Sequence, residues 1–273
     1  MRCAAAAFTL TTFPTPEAWA ARFTAQVRCA ADAGADLVLF PEYVTGSLLV
    51  LQNDWSVWTD LWRTTAQAAA RDHGLLVVAG THLVEDAGER RNRALLCWPD
   101  GSLDHQDKLH PTPWEKTWHV APTQTIRLFR HAGAVLALPI CYDVEFPEGI
   151  RTAARAGAEV LLVPSWTDDD HGFWRVRHCA QARCIENTVY AVHAPLVGGL
   201  DTPLGFEQAC GAAGILTPCD IGFPPAGLAA AGGWNQAQVV IGDLDLERLR
   251  RLKTAGTVTP LGDARGADGY SIG

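Results

Sequence analysis

The segment TPEAWAARFTAQVRCAADAGADLVLFPE, residues 15–42, holds a complete helix-to-strand unit. Thr15 stands where an N-cap is expected and Pro16 takes the first helical position; apolar residues recur at Trp19, Phe23, Val27 and Ala30, and Gly34 marks the stop. The run DLVLF follows at once and reads as a buried strand. A glutamate, Glu42, ends the unit behind a proline.

The same order returns along the chain. A helix is predicted from about Asp54 through Ala70, with Trp55, Trp58 and Trp62 on one face and a stop at Gly74, and the strand LLVVAG comes next. The second half repeats the alternation: AVLALPIC, a helix near 147–157, the strand EVLLVP, a helix near 173–186, and the strand VYAVHAP. AGADLVLFPE (33–42) and AGAEVLLVPS (156–165) echo one another as helix end, Ala-Gly-Ala break, apolar run and proline. Alternating helices and strands predict an α/β fold. Residues 93–106, RALLCWPDGSLDHQ, place a Pro-Asp-Gly turn between two strand-like runs, so an antiparallel hairpin is expected and the sheets are mixed. Two sheets with outer helices fit this pattern. Loops and short strands are expected over 198–236, then a strand and a charged helix in QVVIGDLDLERLRRLK. One domain over 1–260 is predicted, with 261–273 as a tail whose composition suits a mobile or interface-bound extension.

The 273 residues carry a net charge of -8 and no long basic stripe, which argues against nucleic acid as a partner. No run of 18 apolar residues occurs, so no membrane span is expected, and MRCAAAAFTLTTFP reads as a first strand rather than a signal. The eight cysteines are scattered without the density of a disulfide-stapled domain, which points to a cytoplasmic setting.

Chemistry in α/β sheets collects at the carboxyl ends of strands. Three such places bear reactive groups: Glu42 after LVLFP, Lys108 in DHQDKLHPTPWE, and Cys141 after AVLALPI. A carboxylate, an ammonium and a thiol make a set suited to covalent catalysis. The base takes the proton of a thiol that is mostly protonated at neutral pH, and the cation meets the oxyanion formed when sulfur attacks a carbonyl or nitrile carbon. The backbone N–H of Tyr142 is a further candidate donor. Spacing along the chain does not by itself bring the three together.

The strings FPE (40–42), DKLHPTPWE (107–115), ICYDVEFPE (140–148) and RCIENTVYAV (183–192) resemble, in that order, the signatures of the nitrilase superfamily, the carbon-nitrogen hydrolases. The resemblance spans the chain apart from its tail. It implies a four-layer αββα sandwich of two mixed β-sheets with outer helices, assembled as a homodimer or higher homo-oligomer. It implies Glu42 as general base, Lys108 as oxyanion-stabilising cation and Cys141 as nucleophile, with Glu115 positioning Lys108 and the substrate. Neither a metal nor an organic cofactor is required in that scheme. The implied activity is hydrolysis of a small amide or carbamoyl compound through a cysteine thioester; nitrile hydrolysis by the same triad, or a binding or assembly role with an idle triad, are the alternatives. AAAAF at the first strand and Pro218-Cys219-Asp220 near the end depart from the usual pattern and leave the substrate open.

Blander readings apply elsewhere. Cys3, Cys29, Cys97, Cys179, Cys184, Cys210 and Cys219 are read as structural. In HCAQARC (178–184) the two cysteines lie roughly 140° apart around a helix, which argues against zinc. Asp143, Glu145 and Glu148 resemble a metal cluster, but Glu148 fits better as the opening of a helix, with Arg151 as its ion-pair partner. Trp55, Trp58 and Trp62 are assigned to packing or a subunit interface, whereas Tyr43, Trp114 and Trp166 are candidate substrate-binding residues and Trp118 a further pocket neighbour. Asp168, Asp169 and Asp170 read as a solvated acidic loop or a lure for a cationic substrate.

Overall fold

Strand β1 (Arg2–Ala6) and the short β2 (Phe8–Leu10) lead into helix α1 (Pro16–Asp32), whose N-cap Thr15 accepts a hydrogen bond from the Ala18 N–H. The computed structural model describes residues 1–204 and 207–265. Trp19, Phe23, Val27 and Ala30 are all buried, as the periodicity requires, and the chain reverses at Gly34, whose φ of 72° is open to glycine. Strand β3 (Leu37–Leu39) follows, then α2 (Trp55–His73), capped by the Asp54 side chain and closed by left-handed Gly74.

Strand β4 (Leu76–Asp86) runs past the predicted end at Gly80. Its pairing with β5 (Glu89–Cys97) shifts register between Val78 and Thr81, and Gly80 with φ 66° absorbs the bulge. β6 (Leu103–Asp107) completes the expected hairpin. Then come the short α3 (Pro113–Thr117) and β7 (Leu128–His131), neither anticipated, followed by β8 (Ala134–Ala137), α4 (Pro147–Arg155), β9 (Val160–Ser165), α5 (Asp170–Asn187) and β10 (Tyr190–Gly199). Short strands β11 (Gln208–Ala209), β12 (Gly214–Leu216) and β13 (Leu228–Ala231) precede β14 (Val239–Asp243), α6 (Leu246–Ala255) and α7 (Pro260–Asp263). The boundary expected at 260/261 falls inside α7, which packs on α4 and α5 with Leu261 against the core. Residues 266–273 of the tail lie outside the described residues.

Among the described residues the strands form two mixed sheets. One has the order β14-β1-β3-β4-β5-β6; in the other, β13-β12-β10-β9-β8-β7 is extended by β2 and β11 on β10. Alternation explains the layering. Cys3, Ala5, Leu37, Leu39, Leu76 and Val78 join the cluster holding β9 and β10, while their neighbours Ala4, Ala6, Val38, Val77 and Ala79 pack on α1 and α2. Helices α4 and α5 cover the second sheet through Ile150, Ala153, Val176 and Ala180. The result is the αββα sandwich. Each large apolar side chain buried in these layers contributes about 1.5–3 kcal/mol relative to exposure, so Trp19, Trp62, Phe23 and Phe40 anchor the α1/α2 layer.

The echoing segments become the two central strands, β3 in one sheet and β9 in the other. β3 runs parallel to β4, and β5 and β6 each reverse direction, so β6 ends at the same edge as β3. Glu42 and Lys108 therefore leave one sheet at one end, where β8 and β9 also deliver Cys141 and Trp166.

Candidate active site

Four buried side chains meet at this edge. Glu42 lies just past β3, Lys108 just past β6, Glu115 on α3 and Cys141 just past β8, all at most 5% exposed. Thr112 and Glu115 form a reciprocal capping box, which explains how a helix of one turn holds its glutamate in place. Tyr43 and Cys141 both adopt left-handed backbone, with φ 52° and 48°, each costing on the order of 1–2 kcal/mol for a residue with a side chain. Tertiary contacts hold both turns. The Tyr43 N–H donates to Thr81 Oγ1 at 3.0 Å; Asp143 accepts from the N–H groups of Ile140 (2.9 Å), Leu109 (3.3 Å) and His110 (2.8 Å), tying the cysteine turn to the lysine loop.

The Lys108 ammonium donates to Glu42 Oε1 at 2.7 Å and to Glu115 Oε2 at 2.6 Å. Asn92 Nδ2 donates to Glu42 Oε1 at 2.8 Å and Glu115 Oε1 at 2.7 Å. The Tyr43 hydroxyl donates to Glu115 Oε1 at 2.6 Å, and the Thr112 N–H to its Oε2 at 2.8 Å. Glu42 Oε2 accepts from the Trp166 N–H at 3.1 Å, and Cys141 Sγ donates to the Trp166 carbonyl at 3.5 Å.

These contacts set the charges. Burial opposes ionisation of Glu115, yet Lys108, Tyr43 and the Thr112 amide outweigh it and hold the carboxyl below its usual range. Burial dominates at Glu42 and, with Glu115 nearby, keeps it raised despite Lys108. The Cys141 thiol is pushed well above its ordinary value by burial and by the Glu42 charge, with Lys108 opposing. Burial alone would lower Lys108, but the two glutamates hold it above the ordinary ammonium range. The arrangement is a protonated thiol beside a carboxylate of enhanced basicity and a fixed cation. It can do acyl-transfer chemistry on a carbonyl or nitrile carbon.

A pocket of about 330 Å³ opens onto this cluster. Tyr43, Trp114 and Trp166 line it, as does Tyr142, while Trp118 tilts against Trp114 with centroids 3.8 Å apart and faces a neighbouring cleft. Of the acidic loop, Asp168 lines the pocket; Asp169 instead caps α5, accepting from the Gly172 N–H. Trp58 and Trp62 are buried against α1/α2 packing, and Trp55 contacts Tyr43 and Trp118. Cys184 is fully buried and Cys179 partly so, and every cysteine is free. Glu145 pairs with Arg175 at 2.9 Å. Arg151 corrects its expected pairing with Glu148: its guanidinium turns to the Glu186 carbonyl at 2.6 Å.

Asn92, Thr81 and Arg183 were not singled out in the sequence, and Asp143, weighed there only as part of a metal cluster, instead accepts the backbone N–H groups of Ile140, Leu109 and His110. Arg183, in the string RCIENTVYAV, is buried and donates to the carbonyls of Val144 and Glu145, clamping α5 to the cysteine turn. Asn92 sits among the charged residues that open β5 (ERRNRALLC) and Thr81 beside His82 in β4 (LVVAGTHLVED), so neither stands out in its strand's pattern.

The family model for carbon-nitrogen hydrolases matches residues 4–254. The probable hydrolase YhcX of Bacillus subtilis (strain 168) is 36% identical over 249 residues, which cover 88% of this chain and 48% of that protein. An (R)-stereoselective amidase of Pseudomonas sp is 34% identical over 182 residues, 65% of this chain and 64% of the other. The chain thus spans about half the length of the first of these relatives and under two thirds of the second. Among solved structures, an amidase from Nesterenkonia sp. AN1 superposes with a TM-score of 0.78 at 23% identity, covering 97% of this chain and 94% of that one, a likeness of fold. The chain belongs to the carbon-nitrogen hydrolase family.

Proposed function

We propose that this carbon-nitrogen hydrolase cleaves a small amide or carbamoyl compound through a thioester on Cys141. The observation that carries this reading is the convergence of Glu42, Lys108 and Cys141 on one pocket. Glu42 accepts the thiol proton at Oε2, since Oε1 already receives Lys108 and Asn92. Sulfur attacks the carbonyl carbon, and the oxyanion is met by the Lys108 ammonium and the Tyr142 N–H. Collapse breaks the C–N bond, and ammonia or an amine leaves with the proton that Glu42 held. Glu42 then deprotonates a water that attacks the thioester, releasing the acid and restoring the thiol. Glu115, held ionised by four donors, fixes Lys108 throughout.

Further support comes from the Pseudomonas amidase and from the Nesterenkonia amidase, one structure of which carries covalent addition of the acetamide moiety of fluoroacetamide at its active site cysteine. Tyr43, Trp114 and Trp166 form the walls that receive the acyl group. A homodimer or higher homo-oligomer is part of the proposal, supported by exposed Trp174 and Ile185 on α5, with light scattering as its check. A cytoplasmic setting suits the free cysteines.

The test pairs amide and nitrile substrates of matched acyl groups, reading ammonia and acid release, with intact-mass detection of an acyl adduct and Cys141→Ala as control. Amide turnover with an adduct at Cys141 is expected. Preference for nitriles would move the assignment to nitrile hydrolysis. No adduct and no turnover across a broad amide panel would favour an idle scaffold.

A further inference from the structure

We propose that Asn92 is a positioning residue of the reaction centre, its amide bridging the carboxylates of Glu42 and Glu115 so that a single ammonium serves both and Glu42 keeps its Oε2 edge turned to the thiol. The inference rests on the hydrolase reading above and adds to it a residue outside the Glu-Lys-Cys set.

The geometry is specific. Asn92 lies in the middle of β5, fully buried, and its Nδ2 places one hydrogen on Oε1 of Glu42 (2.8 Å) and the other on Oε1 of Glu115 (2.7 Å). Two acceptors of the same kind fix the amide orientation, because Oδ1 in that place would face two carboxylates. The main chain takes part too: the Asn92 carbonyl accepts the Lys108 N–H at 2.9 Å, so one residue sets the backbone of the cation and the side chains of both anions.

Burial of Asn92 is not explained by folding alone. Its Oδ1 is enclosed with no hydrogen-bond partner among the described residues. A buried acceptor without a donor is costly, and an apolar residue of similar size would avoid that cost. What the amide contributes is at its other end. Two carboxylates and one ammonium leave an excess negative charge in a buried site, and two N–H donors spread over both anions offset it. With both Oε1 atoms occupied, the proton from sulfur is directed to Oε2 of Glu42, beside the Trp166 amide.

Removing the donors makes ionised Glu42 less favourable, so proton acceptance should fail at a higher pH. The experiment follows the pH dependence of Cys141 alkylation by iodoacetamide, read by peptide mapping because Cys29 and Cys219 are exposed, together with kcat/KM on the best amide. Asn92→Leu and the isosteric Asn92→Asp are compared with the parent, and folding is verified by circular dichroism. In each folded variant the acid limb should move up by about one pH unit, with a loss in kcat rather than a rise in KM. Should the leucine variant fail to fold, the aspartate variant decides. Limbs that coincide with the parent's in a folded variant, whether activity is kept or lost uniformly, overturn the proposal. Alkylation needs no substrate, so a wrong substrate class, which would silence only the kcat/KM arm, is distinguishable from a wrong role for Asn92.

Discussion

The main-chain N–H of Trp166 donates to Glu42 Oε2 at 3.1 Å, joining the end of the central strand of one sheet to the end of the central strand of the other. The carbonyl of the same residue accepts from Cys141 Sγ at 3.5 Å. One residue's backbone therefore spans the Glu42 carboxyl and the Cys141 thiol. Because peptide units are stiff and β9 is buried throughout, the two groups cannot separate without disturbing the packing between sheets.

Replacing Cys141 by Ala removes the sulfur from a turn that other residues hold, Asp143 above all. Amide turnover is expected to fall by at least about 10⁴-fold while thermal melting stays within a few degrees of the parent. Initial rates on the same substrate provide the check; a rate within tenfold of the parent would show that sulfur is not the nucleophile.

The pH profile follows from the raised Glu42 carboxyl. In the proposed role of base it must be ionised, so activity is expected to be lost as pH falls through its folded value, which burial places above the ordinary carboxylate range. The acid limb of kcat/KM should lie above ~4.3, the usual glutamate value. Glu42→Gln should cost about 10²–10⁴-fold and flatten that limb. A parent limb at or below the ordinary value would count against Glu42 as base.

Lys108→Met leaves Glu42 and Glu115 buried without their cation, at an expected cost of about 3–5 kcal/mol, measurable by urea unfolding at pH 7. Glu115 carries the sign of the pH effect. Its folded value is lowered, so its contribution is present above the ordinary carboxylate range and lost as pH falls through the folded value. The methionine variant should lose that acid sensitivity, and Lys108→Met with Glu115→Gln should recover part of the stability. Equal stability of parent and single variant would mean the ion cluster contributes nothing to folding.

Gly80→Ala tests how a bulge distant in sequence supports the site. A Cβ there would sit 2.0 Å from the Pro41 carbonyl oxygen on a backbone with φ 66°. A destabilisation of at least about 2 kcal/mol is expected, with activity falling further because Pro41 precedes Glu42. Gly74→Ala is the control: φ is also 66° but nothing lies within 4 Å, so only the cost of left-handed backbone, about 1 kcal/mol, should appear. Similar losses in the two variants would remove the steric explanation.

Much of the architecture was legible locally. Thr15 and Pro16, the spacing from Trp19 to Ala30 and the break at Gly34 define α1 because capping, backbone restriction and one-sided burial act over a single turn or face. The Pro-Asp-Gly turn located the β5–β6 hairpin for the same reason. Less was readable where tertiary contact overrides local preference: β4 continues through Gly80 only because β5 and Pro41 meet it there, and α3 is too short to show a period. Arg151 appeared paired with Glu148 by helical spacing, yet the Glu186 carbonyl on α5 is what it meets.

The sequence by itself determined the order of helices and strands and, through its motifs, which carboxylate, ammonium and thiol end them. Only the tertiary structure decided that Asn92 bridges two glutamates, that Asp143 binds the cysteine turn to the lysine loop, and that Trp166 spans both sheets. The physical reason is range: periodicity records how one segment faces its core, whereas a hydrogen bond between distant residues depends on strand order and register that no single segment encodes.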